Sequence, residues 1–129
     1  MIRRAAFPTL LRRLREPRRF LQVLAGPRQV GKTTLAQQAM EELDVAAHFA
    51  SADEPTLRDR TWIEQQWDHA RLKAGETKRG ALLVLDEVQK VTGWSEVIKF
   101  LWDGDTRTKV PLKVLLLGSS PLLIQRGLT

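Results

Sequence analysis

The stretch GPRQVGKTT, residues 26–34, constrains this chain more than any other feature of its sequence. It fits the pattern G-x-x-x-x-G-K-[ST], known as Walker A, whose glycines allow a tight turn with backbone N–H groups that cradle phosphates. An apolar run at residues 20–25 precedes the loop, and a helical pattern follows it to about Leu43. The pattern binds phosphate when it lies between a strand and a helix, which is the order that this sequence predicts.

The side chains of this loop predict how a nucleoside triphosphate and its metal would be held. Lys32 is expected to reach the β- and γ-phosphates, and Thr33 is expected to offer its hydroxyl to Mg²⁺. The residues expected to contact the phosphates are Gly26, Pro27, Arg28, Gln29, Val30, Gly31, Lys32, Thr33 and Thr34.

Two neighbouring carboxylates follow a second apolar run. Residues 81–85 are too few for a core helix and favour a buried parallel strand, which ends on Asp86 and Glu87. There Asp86, opposite Thr33, would hold Mg²⁺ through its waters, and Glu87 would deprotonate the attacking water. Ser119 ends another apolar run and can hydrogen-bond to this water or to the γ-phosphate. These parts predict hydrolysis of a nucleoside triphosphate, with Glu87, Lys32 and Ser119 as catalytic residues and Thr33 and Asp86 as metal ligands.

Apolar periodicity along the rest of the chain predicts an α/β fold with a parallel sheet, because strands alternate with helices. Strands are expected at residues 20–25, 45–50, 81–85 and 112–117. Helices are expected after the loop up to residue 43, then over residues 56–73 and 94–102, the last ended by Asp103, Gly104 and Asp105.

Two tryptophans and two histidines allow functional interpretations that the pattern does not favour. Trp62 and Trp67 recur at helical spacing, which favours core packing over a base-stacking surface. His48 is expected to be a core or edge histidine because no second metal ligand follows at useful spacing. His69 is expected to face solvent.

Three stretches together resemble the P-loop NTPases of the additional-strand type, within the AAA-like ATPases. They are GPRQVGKTTL at residues 26–35, LLVLDEVQKVTGW at 82–94 and VLLLGSS at 114–120. More closely, the chain resembles the prokaryotic AAA_14 ATPase domain, which usually precedes a domain of unknown function in a larger chain.

This resemblance implies a three-layer α/β/α fold with a mostly parallel sheet in the order 5-1-4-3-2, and ATP with Mg²⁺ as ligands. It also implies that a fifth strand and an arginine acting in trans would lie beyond Thr129. We therefore expect an ATPase domain truncated before strand five, with slow turnover. Strand one would then be an open edge, which invites pairing with a second copy or a C-terminal partner domain.

Positive charge is concentrated near the N-terminus. The chain has a net charge of +6, and residues 1–20 hold seven arginines and Glu16, whereas the remainder carries 14 basic and 14 acidic side chains. Residues 1–18 are expected to form a basic helical arm, and residues 19–129 the ATPase domain. The arginines are Arg3, Arg4, Arg12, Arg13, Arg15, Arg18 and Arg19.

The arm has three interpretations. Residues 8–16 favour a short helix with an apolar stripe of Leu10, Leu11 and Leu14. Its arginines could contact nucleic acid or another acidic partner. A solvated basic face on a helix that packs through its leucines is favoured, because no aromatic residues interleave as a stacking platform requires. A transit peptide is disfavoured, because the segment runs into the first strand without a spacer.

Composition limits the remaining classes. The chain has no cysteine, which excludes disulfides and a thiol nucleophile. No apolar run is long enough to span a membrane, and no secretory signal pattern is present, so we expect a cytoplasmic protein without a membrane role. Two alternatives to an ATPase stay open: a nucleic-acid-binding module regulated by ATP, and a nucleotide-binding fragment that hydrolyses nothing.

Overall fold

Four parallel strands form one sheet in the computed structural model, which describes residues 11–12, 14–15, 22–25, 32–43, 45–52 and 59–118. The strands are β1 (Gln22–Ala25), β2 (Ala46–Ser51), β3 (Ala81–Asp86) and β4 (Leu112–Gly118). Their order is β1-β4-β3-β2, and every neighbouring pair is parallel. This is the order that the family resemblance implies for strands one to four, so the fold prediction is confirmed.

A helix follows each of the first three strands, as parallel pairing requires, because a parallel connection must cross back along the sheet. The helices are α1 (Lys32–Leu43), α2 (Arg60–Gly75) and α3 (Trp94–Thr108). A short 3₁₀ turn at Val88–Lys90 lies between β3 and α3. Within the described ranges, no helix combines the length and the hydrophobicity that crossing a bilayer needs.

Alternation along the central strands divides the core into two halves. In β3, Leu83 and Leu85 join one cluster of buried side chains, whereas Leu82 and Val84 join the other. Residues of α2 and α3 complete the first cluster, and residues of α1 together with Leu14 complete the second. Because successive side chains of a strand point to opposite faces, both faces of the sheet are covered. The molecule therefore has the predicted three layers.

The predicted end of α3 is wrong, because the helix continues through residues 103–105. Asp105 is only 1% exposed. Its carboxylate accepts hydrogen bonds from Trp67 Nε1 at 2.7 Å and from Arg71 Nε at 2.8 Å, both on α2. These contacts stabilise the helix across residues of low helix propensity, which the local pattern could not anticipate. Lys109, in the left-handed conformation at φ 60°, then ends the helix.

The aromatic and histidine positions agree with their predictions. Trp67 is fully buried, and Trp62 packs against the same half of the core. His48 lies on β2, the outermost strand on one side of the described sheet, with its Nε2 2.6 Å from Gln66 Oε1. His69 is exposed, and its ring centroid lies 4.4 Å from that of His48. Both histidines thus contribute to the packing of α2 on β2.

Candidate nucleotide-binding site

The carboxyl ends of the strands meet at one edge of the sheet. Ala25, the last residue of β1, is in register with Gly118, the last residue of β4. Asp86, the last residue of β3, is in register with Leu117 on one side and Ser51 on the other. In open α/β sheets, ligands bind in the crevice beyond this edge. The strand ends that flank the predicted phosphate loop and carry the predicted carboxylates therefore belong to one crevice.

Asp86 is oriented by a hydroxyl from the neighbouring strand. Ser51 Oγ donates a hydrogen bond to Asp86 Oδ2 at 3.0 Å, and the N–H of Ala52 donates to the Asp86 carbonyl at 2.9 Å. The Asp86 side chain is only partly buried, so its carboxylate can still face the crevice. The sequence predicted no role for Ser51, although a polar residue at a strand end was the available signal.

Glu87 leaves the strand through a left-handed turn. Its backbone has φ 56° and ψ 36°, a conformation that costs a non-glycine residue about 1–3 kcal/mol. Its N–H donates to the carbonyl of Leu117 in β4 at 2.8 Å, and the residue is 4% exposed. This turn keeps Glu87 beside Asp86 at the sheet edge, instead of on the opposite face as continued strand alternation would place it.

An amide contacts the Glu87 carboxylate. Gln89 Nε2 donates to Glu87 Oε2 at 2.7 Å, and both residues belong to the segment around the 3₁₀ turn. Val88 and Val91 on either side of Gln89 are fully buried and anchor that turn in the core. No sequence pattern distinguishes Gln89 by itself, although it lies in the run LLVLDEVQKVTGW that carries the family resemblance.

A comparison with protein families identifies the family of this chain. The AAA_14 model, described as an AAA domain, matches residues 18–129. The chain belongs to the AAA domain family. At the level of the family, it is a nucleotide-binding ATPase domain, which agrees with the crevice described above. Comparison with curated protein sequences found no match.

Solved structures share the fold of this AAA domain. The Orc1 protein of Aeropyrum pernix, solved in complex with DNA, matches at a TM-score of 0.70 with 14% identity, over 98% of this chain and 41% of its own. RuvB of Thermotoga maritima, a Holliday junction branch migration motor, matches at a TM-score of 0.59 with 22% identity, over 96% of this chain and 41% of its own. A chain of the HORMA:CdnC:Trip13 complex of E. coli MS115-1 matches at a TM-score of 0.59 with 20% identity, over 86% of this chain and 42% of its own. The AAA domain thus spans about two fifths of each of these chains.

The structure describes part of the predicted site of the AAA domain. Lys32, Thr33 and Thr34 form the start of α1, and the Thr34 side chain is exposed. Ser119 lies outside the described residues, and so do the loop residues Gly26, Pro27, Arg28, Gln29, Val30 and Gly31. The roles of these residues therefore stay predictions, as do those of Asp86 and Glu87, whose position at the carboxyl end of β3 is observed.

The donor groups of the AAA domain fit Mg²⁺ held chiefly by a nucleotide. Among the described residues, no group of three or more His, Cys, Asp or Glu side chains could hold a metal by itself. Mg²⁺ in phosphate-binding sites usually takes one or two carboxylates, several waters and the phosphate oxygens. Asp86, a hard oxygen donor fixed by Ser51 at the sheet edge, suits that kind of site.

Proposed function

We propose that this AAA domain binds ATP with Mg²⁺ at the carboxyl edge of its sheet and hydrolyses the terminal phosphoanhydride bond. The observation that carries this proposal is the pair Asp86 and Glu87, held at one strand end by different neighbours. Ser51 fixes the first carboxylate, and a left-handed turn together with Gln89 fixes the second. The AAA domain match supports a nucleotide as the ligand of this crevice.

Binding would be divided between the phosphate loop and the strand edge. Residues 26–34 would surround the phosphates, with Lys32 on the β- and γ-phosphates. Thr33 and Asp86 would hold Mg²⁺, which when bound neutralises charge on the β- and γ-phosphate oxygens. The start of α1 at Lys32 adds backbone N–H groups and the positive end of a helix to the same crevice.

Hydrolysis would depend on Glu87. A carboxylate beside the γ-phosphate can orient water and accept its proton, and such general-base catalysis contributes about 10²–10⁴-fold to a rate. The burial of Glu87 and its hydrogen bonds hold the group in one place before the substrate arrives. Ser119 would contact the water or the γ-phosphate.

Two measurements on the same sample test the proposal: binding of a fluorescent ATP analogue with and without Mg²⁺, and release of phosphate. The unmodified protein should bind in a Mg²⁺-dependent way and release phosphate slowly, since an arginine finger contributes about 10³–10⁵-fold to kcat in P-loop enzymes that use one. Lys32→Ala should abolish binding, whereas Glu87→Gln should bind normally and lose hydrolysis. Hydrolysis at the normal rate by Glu87→Gln would exclude Glu87 as the base.

An oligomer or an added domain is part of the same proposal. β1 is the outermost strand on its side of the described sheet, and Val23 within it is 39% exposed. An edge strand with unpaired backbone groups can accept another strand. If a second copy completes the site, the rate of hydrolysis per protein molecule should be low in dilute solution and should rise with protein concentration. A cytoplasmic location also belongs to this proposal.

Nucleic-acid binding through residues 1–18 is the second candidate function. Leu14 is 1% exposed, whereas Arg12 and Arg15 of the same helical segment are exposed. The segment therefore packs through its leucine and presents arginines to solvent, as a phosphate-contacting surface would. The likeness to Orc1, solved in complex with DNA, motivates DNA as the first ligand to try.

A salt titration tests this second function. The logarithm of the DNA affinity should fall with the logarithm of salt concentration with a slope of about −0.9 for each phosphate neutralised. Arg12→Glu and Arg15→Glu should each weaken binding, whereas Arg107→Glu, which changes an exposed arginine on α3, should have a smaller effect. Absence of affinity at low salt would exclude this function.

A further inference from the structure

We propose that Gln89 is the positioning residue of Glu87, and that its side-chain amide holds the carboxylate in the orientation needed to receive a proton from the attacking water. This inference rests on the proposed function, because it assigns a role within the same hydrolytic site. It concerns a residue that touches neither nucleotide nor metal in that proposal. Gln89 would act through Glu87 alone.

The contact is short and its direction is determined by chemistry. Gln89 Nε2 lies 2.7 Å from Glu87 Oε2, within the range of a hydrogen bond to an ionised acceptor. An ionised carboxylate only accepts hydrogen bonds, so the amide must present its nitrogen and turn its oxygen away. The two residues are separated by Val88, which is fully buried. Rotation of the Glu87 carboxylate would therefore break a hydrogen bond within an anchored turn.

The other end of the amide shows what Gln89 gives up for this contact. Its Oε1 is buried and has no hydrogen-bond partner among the described residues. A buried acceptor without a donor is unfavourable, and an apolar side chain of the same shape would avoid that cost. Among the described residues, the hydrogen bond to Glu87 is therefore what this amide gains in return for its unpaired oxygen.

The step that this arrangement serves is balanced within the site. The water oxygen bonds to the γ-phosphorus while the bond from that phosphorus to the β–γ bridging oxygen breaks. ADP leaves with the bonding electron pair, and a proton of the water passes to the Glu87 carboxylate. A carboxylate free to rotate spends less time aligned with the water, so the loss of Gln89 should lower the rate of the chemical step.

The test compares Gln89→Met with the unmodified protein in nucleotide binding and steady-state phosphate release. Loss of one hydrogen bond to a charged group should lower kcat by about 10- to 100-fold. KM and the affinity for the ATP analogue should change less than about twofold, because Gln89 contacts no part of the nucleotide. Gln38→Met is the matched control: Gln38 lies on α1 and also has a buried, unpartnered Oε1 among the described residues. That variant should keep its kcat.

Two further variants separate positioning from a structural effect. Gln89→Glu keeps the shape but replaces the donor with a second acid, so it should lose at least as much kcat as Gln89→Met. In the double variant Glu87→Gln/Gln89→Met, the second substitution should add almost nothing to the loss caused by Glu87→Gln alone, since residues that act as a unit are not additive. Thermal unfolding of each variant checks that the fold is intact.

The outcomes distinguish this inference from the function on which it rests. An unmodified protein that neither binds the analogue nor releases phosphate overturns the proposed function, and this inference with it. Phosphate release by the unmodified protein with an unchanged kcat in both Gln89 variants overturns this inference alone. Full additivity in the double variant, or equal losses in the Gln38 control, would show that Gln89 does not act through Glu87.

Discussion

Two carboxylates are buried among the residues that the structure describes, and their surroundings differ. Asp105, between α2 and α3, is 1% exposed and accepts hydrogen bonds from Trp67 and Arg71, a neutral donor and a cation. Glu87, at the sheet edge, is 4% exposed, accepts from the neutral amide of Gln89 and lies on left-handed backbone.

The difference shows two ways in which a buried acid is held in this fold. A charge paired with arginine on regular backbone is stabilised where it is, because opposite charge and hydrogen bonds offset the cost of desolvation. A carboxylate on strained backbone persists only because its surroundings impose it, which is common at functional sites. Burial alone therefore does not distinguish the two acids, whereas the backbone conformation does.

The largest effect on stability is expected at Asp105. Asp105→Ala removes the buried partner of the Arg71 guanidinium, whose Nη2 atom lies 2.7 Å from Asp105 Oδ1, and leaves Trp67 Nε1 without its acceptor. Arg71 keeps its exposed partner Asp68, whose Oδ1 lies 3.1 Å from Arg71 Nη1. Breaking a buried ion pair typically costs about 3–5 kcal/mol. We expect the lower end of that range, because the Arg71 side chain is 31% exposed.

Urea denaturation measures this change, with Asp103→Ala as the control. Asp103 is exposed on the same helix, so its loss should change the free energy of unfolding by less than about 0.5 kcal/mol. Nucleotide affinity should be unchanged in both variants. Equal stability of the two variants would mean that the contacts of Asp105 contribute nothing net.

The next largest effect is expected at Ser51, and on function instead of stability. Ser51→Ala removes the hydrogen bond to Asp86 Oδ2, so the proposed metal-binding carboxylate is less well oriented. Loss of such a supporting contact typically weakens metal affinity by about 10–100-fold. A Mg²⁺ titration of phosphate release measures it, with Ser95→Ala on α3 as the control. An unchanged Mg²⁺ requirement would argue against Asp86 as a metal ligand.

A smaller effect on stability is expected from the backbone strain at Glu87. Two variants at this position separate that strain from the loss of the side chain. Neither Glu87→Gly nor Glu87→Ala retains the carboxylate, but only glycine adopts positive φ without a penalty. The glycine variant should therefore be the more stable of the two by about 1–2 kcal/mol in urea denaturation. Lys109, also at positive φ, is the control, since Lys109→Gly and Lys109→Ala should show the same order without any change in hydrolysis. A more stable alanine at position 87 would contradict the strained backbone.

The smallest effect is a pH dependence at His48, away from both carboxylates. Burial lowers the pKa of His48 below 6.5, the Gln66 hydrogen bond opposes this, and the charges of His69 and Lys73 lower it further. Between the lowered pKa and 6.5, the unfolded chain binds more protons than the folded one, so stability rises with pH. The contribution is complete above 6.5 and is lost as pH falls through the lowered pKa.

Urea denaturation across a pH series should show this loss of stability on acidification. His48→Phe should reduce the dependence of stability on pH, whereas His69→Gln should keep most of that dependence. A curve as steep for His48→Phe as for the unmodified protein would assign the dependence to other groups.

Much of the fold could be predicted because its determinants are local or shared by the family. The apolar runs that became β3 and β4 needed only continuous hydrophobicity, and Asp86 with Glu87 followed directly from the end of one run. The order of the strands came from the family resemblance. The structure confirms the strands β3 and β4 and the order of the strands in the sheet.

The remainder depends on contacts between distant parts of the chain. The length of α3 depends on the contact of Asp105 with Trp67 and Arg71, which no periodicity encodes. The contact of Ser51 with Asp86 requires the register of β2 on β3. The left-handed turn at Glu87 depends on its hydrogen bond to β4. Such features follow from tertiary structure and could not be predicted from neighbouring residues.

The backbone hydrogen bond from the N–H of Glu87 to the carbonyl of Leu117 also makes the hydrogen exchange of one amide a measure of local opening at the site. An amide proton exchanges with solvent deuterium only when its hydrogen bond opens, and its protection measures the free energy of that opening. Opening here separates Glu87, the proposed base, from β4. The deuterium uptake of this single amide therefore reports how often the proposed catalytic arrangement comes apart, without any substrate being turned over.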